Sequence, residues 1–269
     1  MKHMVNGYKN NSLFLFSAVF AAFLSIFIIQ GCSSSSSSVA DENPDGYFTG
    51  SASVKEADDL TDLAIADLQG MVSGNRFMFM SVDNVLLYDG TITNVTGSDF
   101  TGTVNVYKDG VLLAGTTTVA GTITSESSIT GTLTGAGAGS GTFSLTYGLN
   151  NADSELTRVA KEWRGPINGA STEGFNTIIS GAGALSRENT FNSTTPVLAG
   201  CVMDVASSIS PISGVNIYSV NVVFNSCTDS NVNGTYTGFT TTLTAADIGL
   251  LMSYSNGSYS GSASMVFEP

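Results

Sequence analysis

Turn residues divide most of this chain into short segments of β-type sequence. Residues 100–119, FTGTVNVYKDGVLLAGTTTV, alternate threonine, valine and tyrosine with small residues on both sides of Asp109-Gly110. A period of two is typical of a strand buried on one face, and Asp-Gly between two such runs predicts a hairpin. Comparable segments fill residues 76–93 and 120–148. Turn signals at intervals of roughly 8 to 12 residues predict an all-β sandwich or barrel.

The second half also consists of short β-type segments, and a segment with helical spacing separates it from the first half. In residues 151–165, NADSELTRVAKEWRG, Leu156, Val159 and Trp163 fall on one helical face. Each half has room for roughly eight strands of 5 to 6 residues with their turns. We therefore predict two small antiparallel β-barrel or sandwich lobes, with a single merged sandwich as the alternative. The predicted lobes are residues 47–150 and 164–269, joined by a short linker helix in residues 151–163.

Two segments of the first half have apolar patterns that need a separate interpretation. Residues 56–71, EADDLTDLAIADLQGM, allow an amphipathic helix, but Leu63-Ala64-Ile65 also suits a strand. Residues 77–81, FMFMS, alternate phenylalanine with methionine, so both faces of a strand there are apolar. This strand is predicted to be buried on both sides, which favours core packing over a ligand-lining role.

The amino terminus has the order of a secretory signal peptide. Residues 1–12 contain Lys2 and Lys9 and no acid, and residues 13–29 are apolar apart from two serines. The apolar run has 17 residues. Because a spanning helix needs about 20 residues, run length alone leaves a signal anchor open.

The four residues Ile29 to Cys32, IQGC, resemble the lipobox of bacterial lipoproteins. The resemblance implies diacylglycerol on Cys32, cleavage after Gly31 by the lipoprotein signal peptidase, and palmitate or a similar acyl chain on the new amino terminus. Ser33 in place of aspartate implies sorting to the outer membrane. Residues 1–31 would then be the signal peptide. The alternative is an ordinary cleaved signal peptide, with Cys32 as a free or disulfide-bonded thiol.

The segment after Cys32 is predicted to be a tether. Residues 33–38 are six serines, and residues 32–46 have no apolar periodicity. Serine-rich segments behave as flexible linkers because they bury too little to offset their ordering entropy. Two or more acyl chains hold a protein on a membrane stably, at ~0.8 kcal/mol per buried methylene. We expect a lipid anchor in the outer membrane of a Gram-negative bacterium, with the lobes facing the periplasm or the exterior.

Composition excludes several functions. The formal net charge is −13, which disfavours nucleic acid as a partner. The sole histidine is His3, so a mature chain cannot use Ser-His-Asp or Cys-His chemistry. The glycine-rich segment 135–141 precedes a strand-like sequence instead of a helix, which favours a turn over a phosphate loop. We expect a non-enzymatic binding or envelope-structural module whose partner is an unknown protein. The alternatives are a lipocalin-like carrier of a small apolar ligand and a hydrolase.

Three cysteines leave one pair after Cys32 is assigned to lipid. Cys201 and Cys227 are an even pair in an exported protein, which predicts a disulfide. A two-cysteine metal site is the alternative, but no histidine would complete it. The segments AGC, VNIYSVNVVFNSC and VNGTYTGF, within residues 199–239, resemble the carboxy-terminal module of uncharacterised bacterial β-barrel lipoproteins. That resemblance implies the same pairing and no activity.

One short motif allows a metal site. Asp229, Asn231 and Asn233, followed by glycine, match the first half of a calcium loop. The twelfth position is Thr240 where such loops have glutamate, and the flanking residues are strand-like. A hairpin turn is the preferred interpretation and a weak calcium site the alternative. No other cofactor is expected.

Overall fold

Eight antiparallel strands close the first barrel. The computed structural model describes residues 41–56, 61–81, 83, 85–187, 191, 197–267 and 269, with only the backbone described for 170–175. Each strand pairs with the next along the chain, and β9 returns to β1. The strands are β1 (Gly46–Lys55), β2 (Asp62–Ser73), β3 (Arg76–Ser81), β4 (Leu86–Thr96), β5 (Asp99–Lys108), β7 (Thr117–Thr124), β8 (Ser128–Thr134) and β9 (Gly141–Tyr147), with the short β6 (Val111–Leu112) beside β5.

The second barrel is built the same way but closes differently. Its ladder runs β12-β11-β10-β18-β17-β16-β15, and β14 pairs with β15. One isolated bridge, Ala184 with Ser208, joins the two ends of this ladder, and Leu185 N donates to Ser207 O at 2.9 Å. The strands are β10 (Glu162–Ile167), β11 (Ala170–Ile179), β12 (Leu185–Ser186), β13 (Val202–Met203), β14 (Ser208–Ile212), β15 (Ile217–Asn225), β16 (Gly234–Thr242), β17 (Gly249–Ser255) and β18 (Ser260–Phe267).

Alternation along each strand fills both barrels with apolar side chains. In β5, Phe100, Val104 and Val106 point inward, while the threonines between them are exposed. Gly90 of β4 leaves room for the Phe77 ring, which would lie 1.9 Å from a Cβ there. The interior of the first barrel holds Phe48, Ala52, Val54, Ile65, Leu68, Val72, Phe77, Phe79, Leu86, Tyr88, Ile92, Phe100, Val104, Val106, Val119, Ile123, Ile129, Leu133, Phe143 and Leu145.

Strand β3 is buried on both faces, as its sequence predicts. Phe77 and Phe79 lie inside the first barrel, and their rings stack with centroids 4.5 Å apart. Met78 and Met80 point outward into a separate cluster that contains side chains of both barrels. From the first barrel this cluster takes Tyr47, Met71, Met78, Met80, Leu87 and Tyr107, and from the second Val215, Ile217, Phe239 and Leu251.

Polar contacts surround this inter-barrel cluster. The Arg76 guanidinium pairs with Asp89 at 2.8 Å and also donates to Thr237 Oγ1 of the second barrel at 2.9 Å. At another point Ser260 N donates to Gly110 O at 2.9 Å. Residues 41–269 therefore form one compact unit that contains two barrels. The prediction of two all-β lobes is confirmed, and a merged sandwich does not form.

The linker between the barrels is less helical than its periodicity predicts. Helix α1 covers only Leu156–Val159, and β10 begins at Glu162. Val159 and Trp163 are both fully buried, as their shared face requires. However, Trp163 pairs in the sheet with Thr177 and Phe267. Its indole Nε1 donates to the Val159 carbonyl at 2.8 Å, so tertiary pairing ends the helix after one turn.

The segment with an ambiguous pattern in the first half also forms a strand. Residues 62–73 make up β2, so the amphipathic-helix interpretation of residues 56–71 is wrong for the part that is described. Both edges of β2 pair in the sheet, one with β1 and the other with β3, and this pairing outweighs the helical spacing of its leucines. Among the described residues, no helix has the length and apolar character needed to cross a bilayer.

Candidate binding cavity at one end of the first barrel

Four chain connections of the first barrel meet at one end, which we call the cavity end. They follow β1, β3, β5 and β8, and they surround a cavity of about 550 Å³. Most of its lining is apolar. The described lining consists of Lys55, Glu56, Leu63, Ala64, Ile65, Ala66, Asp67, Ser81, Asp83, Val85, Leu86, Lys108, Leu113, Gly137 and Ala138.

The floor of the cavity comes from the glycine-rich segment between β8 and β9. Gly137–Gly139 form a 3₁₀ turn, and the Tyr88 hydroxyl donates to the Ala138 carbonyl at 3.0 Å. A Cβ at Gly139 would lie 2.2 Å from Thr117 Oγ1, so a small residue is needed for this turn to pack across the barrel. Burial raises the pKa of Tyr88 well above its usual value, which keeps this donor neutral. The turn expected from the sequence is confirmed.

A β-bulge in β2 forms one wall. Gly50 pairs with Leu68 and Ala52 pairs with Ile65, so two residues of β2, Ala66 and Asp67, face one residue of β1. A bulge bends its strand and changes the direction of nearby side chains, and bulges are common at barrel rims. Here Ile65 stays buried at 8% exposure, while nearby Leu63 is 37% exposed. The bulge therefore leaves apolar side chains of β2 accessible at the mouth.

Charged groups of both signs form the rim. Lys55 Nζ lies 2.6 Å from Asp62 Oδ1. The Asp83 carboxylate accepts from Ser81 Oγ at 2.5 Å and from Val85 N at 3.1 Å, which holds the β3–β4 turn together.

The rim carries few groups suited to catalysis. Ser81 Oγ also accepts from Leu86 N at 3.0 Å, so this hydroxyl serves the turn. Asp67 accepts a hydrogen bond from Gln69 Nε2. An apolar hollow with a balanced polar rim suits binding of a molecule with an apolar body.

Two of the predicted site residues form a disulfide in the second barrel. Cys201 and Cys227 are bonded to each other across a sequence separation of 26 residues. Both are buried, and they belong to the core of that barrel. On the chain-entropy model a loop of this length contributes roughly 3 kcal/mol to stability. Cys32, the predicted lipidation site, lies outside the described residues.

The predicted calcium ligands lie in the turn between β15 and β16. Asp229 Oδ1 accepts from Asn231 N at 3.0 Å and from Asn231 Nδ2 at 2.9 Å. Asn233 Oδ1 accepts from Cys227 N at 3.0 Å. These oxygens satisfy the loop's own donors, in line with a structural turn beside the disulfide. Calcium binding stays a prediction.

Sequence reasoning did not identify the cavity. Its residues come from separate connections, so no local motif marks them. Two of the segments that drew attention in the sequence, residues 135–141 and Leu63-Ala64-Ile65, turn out to form its floor and wall. The bulge interrupts the strand's period of two at Ala66 and Asp67, inside the segment whose leucine spacing also allows a helix.

Comparison with known proteins gives only distant similarities. No protein-family model matches this chain, and no curated protein matches it. A crystal structure of a mutant Transferrin Binding Protein B (TbpB), a vaccine antigen from Haemophilus parasuis Hp5, is similar at 10% identity and a TM-score of 0.27, covering 76% of this chain and 61% of that chain. Isotype 1 TbpB from serogroup B Neisseria meningitidis gives 11% identity and a TM-score of 0.20, covering 79% and 61%. This chain thus spans about three fifths of either protein, and similarity at this level is no basis for assigning a function.

Proposed function

We propose that this chain is a non-enzymatic binding module tethered to the outer membrane of a Gram-negative bacterium, with the cavity as its ligand site. The observation that carries the proposal is an open, mainly apolar cavity of about 550 Å³ on a two-barrel body. Small-molecule sites typically have volumes of roughly 300 to 1,000 Å³, apolar walls and a few polar groups.

Binding is favoured over catalysis by the state of the polar groups at the rim. A nucleophile needs a neighbouring base that is free to accept its proton. The hydroxyl of Ser81 and the carboxylate of Asp83 are instead engaged with the backbone of their own turn. The sole histidine of the sequence is His3, and the described lining of the cavity contains no histidine.

A lipocalin-like carrier that encloses its ligand is the second candidate. The cavity supports an apolar ligand site, but its position differs from that in such a carrier. In such a carrier the ligand occupies the centre of the barrel. Here the centre is filled by aromatic side chains, among them Phe48, Phe79 and Phe143. The space lies above them at one end, so we propose binding at the mouth of the barrel.

The tether proposal rests on Cys32 and its setting. Metabolic labelling with a palmitate analogue is expected to mark the wild-type chain and not the Cys32→Ser variant. An unlabelled wild-type chain would contradict lipid anchoring while leaving the cavity proposal intact.

The ligand proposal is tested by native mass spectrometry of the chain purified from the cell envelope. A mass that leaves on denaturation is expected for the wild type. Ala64→Trp would fill the cavity from its wall, so this variant should lose the extra mass. Ala120→Trp adds the same ring on the exposed outer face of β7 and is the matched control. Equal bound masses in both variants would contradict binding in the cavity.

A further inference from the structure

The first described residues of the chain are bound to the end of the first barrel opposite the cavity. Gly97 N donates to Asp41 Oδ1 at 3.0 Å, and Glu42 N donates to Gly97 O at 3.0 Å. Gly97 belongs to the turn between β4 and β5. The chain therefore reaches the barrel at this turn, well before β1 begins.

Two further turns of the same end hold this segment. Ser125 N, between β7 and β8, donates to the Glu42 carboxylate at 2.9 Å, and Asn43 N donates to Ser125 Oγ at 2.8 Å. Hydrogen bonds from Ser125 lower the pKa of Glu42 because they stabilise its ionised form. Gly74 N, between β2 and β3, donates to Asp45 Oδ1 at 2.7 Å. Residues 41–45 thus form a clamp across three turns.

Antiparallel connectivity separates this clamp from the cavity by the length of the barrel. The connections after β2, β4 and β7 lie at one end, and those after β1, β3, β5 and β8 lie at the other. A strand of 10 residues, such as β1, spans about 33 Å along its axis at roughly 3.3 Å per residue. With a tilt of about 35 to 45°, the barrel is about 25 Å tall.

The predicted tether is short compared with that height. Eight residues lie between Cys32 and Asp41, and six of them are serines. If this segment is the flexible linker that the sequence predicts, then its root-mean-square span from Cys32 to Asp41 is about 15 to 18 Å. A lipid anchor on Cys32 would therefore keep the clamp nearer to the membrane than the cavity.

We infer that the cavity opens away from the anchoring membrane and takes a small molecule with an apolar body and a polar end from the aqueous side. This inference rests on the proposed tether and ligand site. The clamp end would therefore lie closer to the acyl chains of the anchoring bilayer than the mouth of the cavity. At the mouth, Lys55 is paired with Asp62, and Glu56 and Lys108 also line the cavity, so charges of both signs lie beside the apolar wall, where the polar end of the ligand would sit.

Orientation is tested on the lipidated full chain bound to phosphatidylcholine vesicles. A fluorophore is placed on Ser127→Cys at the clamp end or on Ala136→Cys beside the cavity floor, both exposed positions. The native pair Cys201 and Cys227 is disulfide-bonded and does not compete for the label. Lipids with a nitroxide on the headgroup should quench the label at position 127 and leave the label at 136 bright. Equal quenching, or stronger quenching at 136, would overturn the inference.

Flotation of the same samples separates this failure from failure of the tether. If the chain does not float with the vesicles, then the proposed anchor is wrong and neither label is quenched. If it floats and the quenching is reversed, then the anchor is correct and the orientation is wrong.

The aqueous source is tested with hexyl glucoside, an uncharged, water-soluble molecule with an apolar chain. Added from solution to the vesicle-bound chain, it should shift the emission of a dye at position 136 saturably and leave a dye at 127 unchanged. Ala64→Trp should abolish the shift and Ala120→Trp should retain it. A shift that persists in Ala64→Trp, or no shift in the wild type, would overturn uptake of such a ligand through the mouth.

Discussion

The two barrels have the same number of strands in the wall and are closed by different means. In the first, β4 and β5 pair along nearly their whole length, so hydrogen bonds complete the cylinder. In the second, the bridge between Ala184 and Ser208 is the pairing that completes the cylinder among the described residues, and the Cys201–Cys227 disulfide and a cluster of aromatic rings add stability. Apolar side chains fill the interior of both barrels, and the cavity lies at one end of the first. The first barrel is thus the better placed for binding.

The largest expected effect is on the aromatic cluster of the second barrel. The Phe224 ring lies 5.7 Å from Phe191, 5.3 Å from Tyr236 and 5.8 Å from Tyr254, measured between centroids. Phe224→Ala should lower the free energy of unfolding by about 3 to 5 kcal/mol, the range for a buried aromatic ring. Urea titration followed by Trp163 fluorescence measures it, since Trp163 lies in this barrel's core.

Phe79→Ala in the first barrel is the matched variant. Its loss should be similar in size, because Phe79 is also buried among rings. If Phe224→Ala lowers the free energy of unfolding clearly less than Phe79→Ala does, then aromatic packing does not compensate for the weak closure of the second barrel.

Removal of the disulfide should have the next largest effect. Cys201→Ala with Cys227→Ala is expected to lower the unfolding free energy by roughly 3 kcal/mol, because the unfolded chain regains the entropy of a 26-residue loop. The wild type in reductant should approach the same value. An unchanged urea midpoint would show that the bridge between Ala184 and Ser208 is sufficient for closure.

Part of this comparison could be predicted from the sequence. Alternation in residues 100–107 predicts the inward positions of β5, and the two apolar faces of residues 77–81 predict a strand buried on both sides. These predictions succeed because the alternation of apolar residues along a strand shows which of its faces are buried. The pairing of Cys201 with Cys227 follows from the even count.

The cavity, the clamp and the length of α1 could not be predicted in this way. The cavity depends on where a bulge falls in β2 and on four connections that meet only after closure. The clamp depends on Gly97 and Ser125, whose backbone donors point at acids far away in sequence. Helix α1 is short because Trp163 pairs with Phe267, a contact across more than a hundred residues.

The contact between the barrels gives a smaller effect. Arg76 and Asp89 are 26% and 11% exposed, and Asp89 also accepts from Ser255 of the second barrel. Arg76→Met should lower the unfolding free energy by about 1 to 3 kcal/mol, because it leaves a poorly solvated carboxylate with fewer donors. Differential scanning calorimetry should show this loss as a lower melting temperature.

Lys55→Met is the control for this change. Its partner Asp62 is 67% exposed, so loss of that pair should cost about 0 to 1 kcal/mol. Equal losses in the two variants would mean that the Arg76 pair does not couple the barrels.

The smallest expected effect is the difference in stability loss between two Tyr→Phe variants, one in each barrel. Tyr88 donates to the cavity floor, whereas the Tyr254 hydroxyl has no hydrogen-bond partner among the described residues. Tyr88→Phe should cost about 0.5 to 1.5 kcal/mol at neutral pH, and Tyr254→Phe should cost nothing or stabilise slightly.

The stability of the same two variants at alkaline pH gives a second comparison. Burial raises the pKa of both hydroxyls. Such a group contributes stability that is complete below the unfolded pKa of about 10 and is lost as pH rises through the higher folded pKa. Each phenylalanine variant removes one of these losses, so both should resist unfolding above pH ~10 better than at neutral pH, relative to wild type. Circular dichroism against pH measures this, and tyrosinate absorbance identifies the onset of ionisation. If Tyr254→Phe proves more costly than Tyr88→Phe at neutral pH, then the Tyr254 hydroxyl has a partner and the second barrel's interior is more polar than its packing indicates.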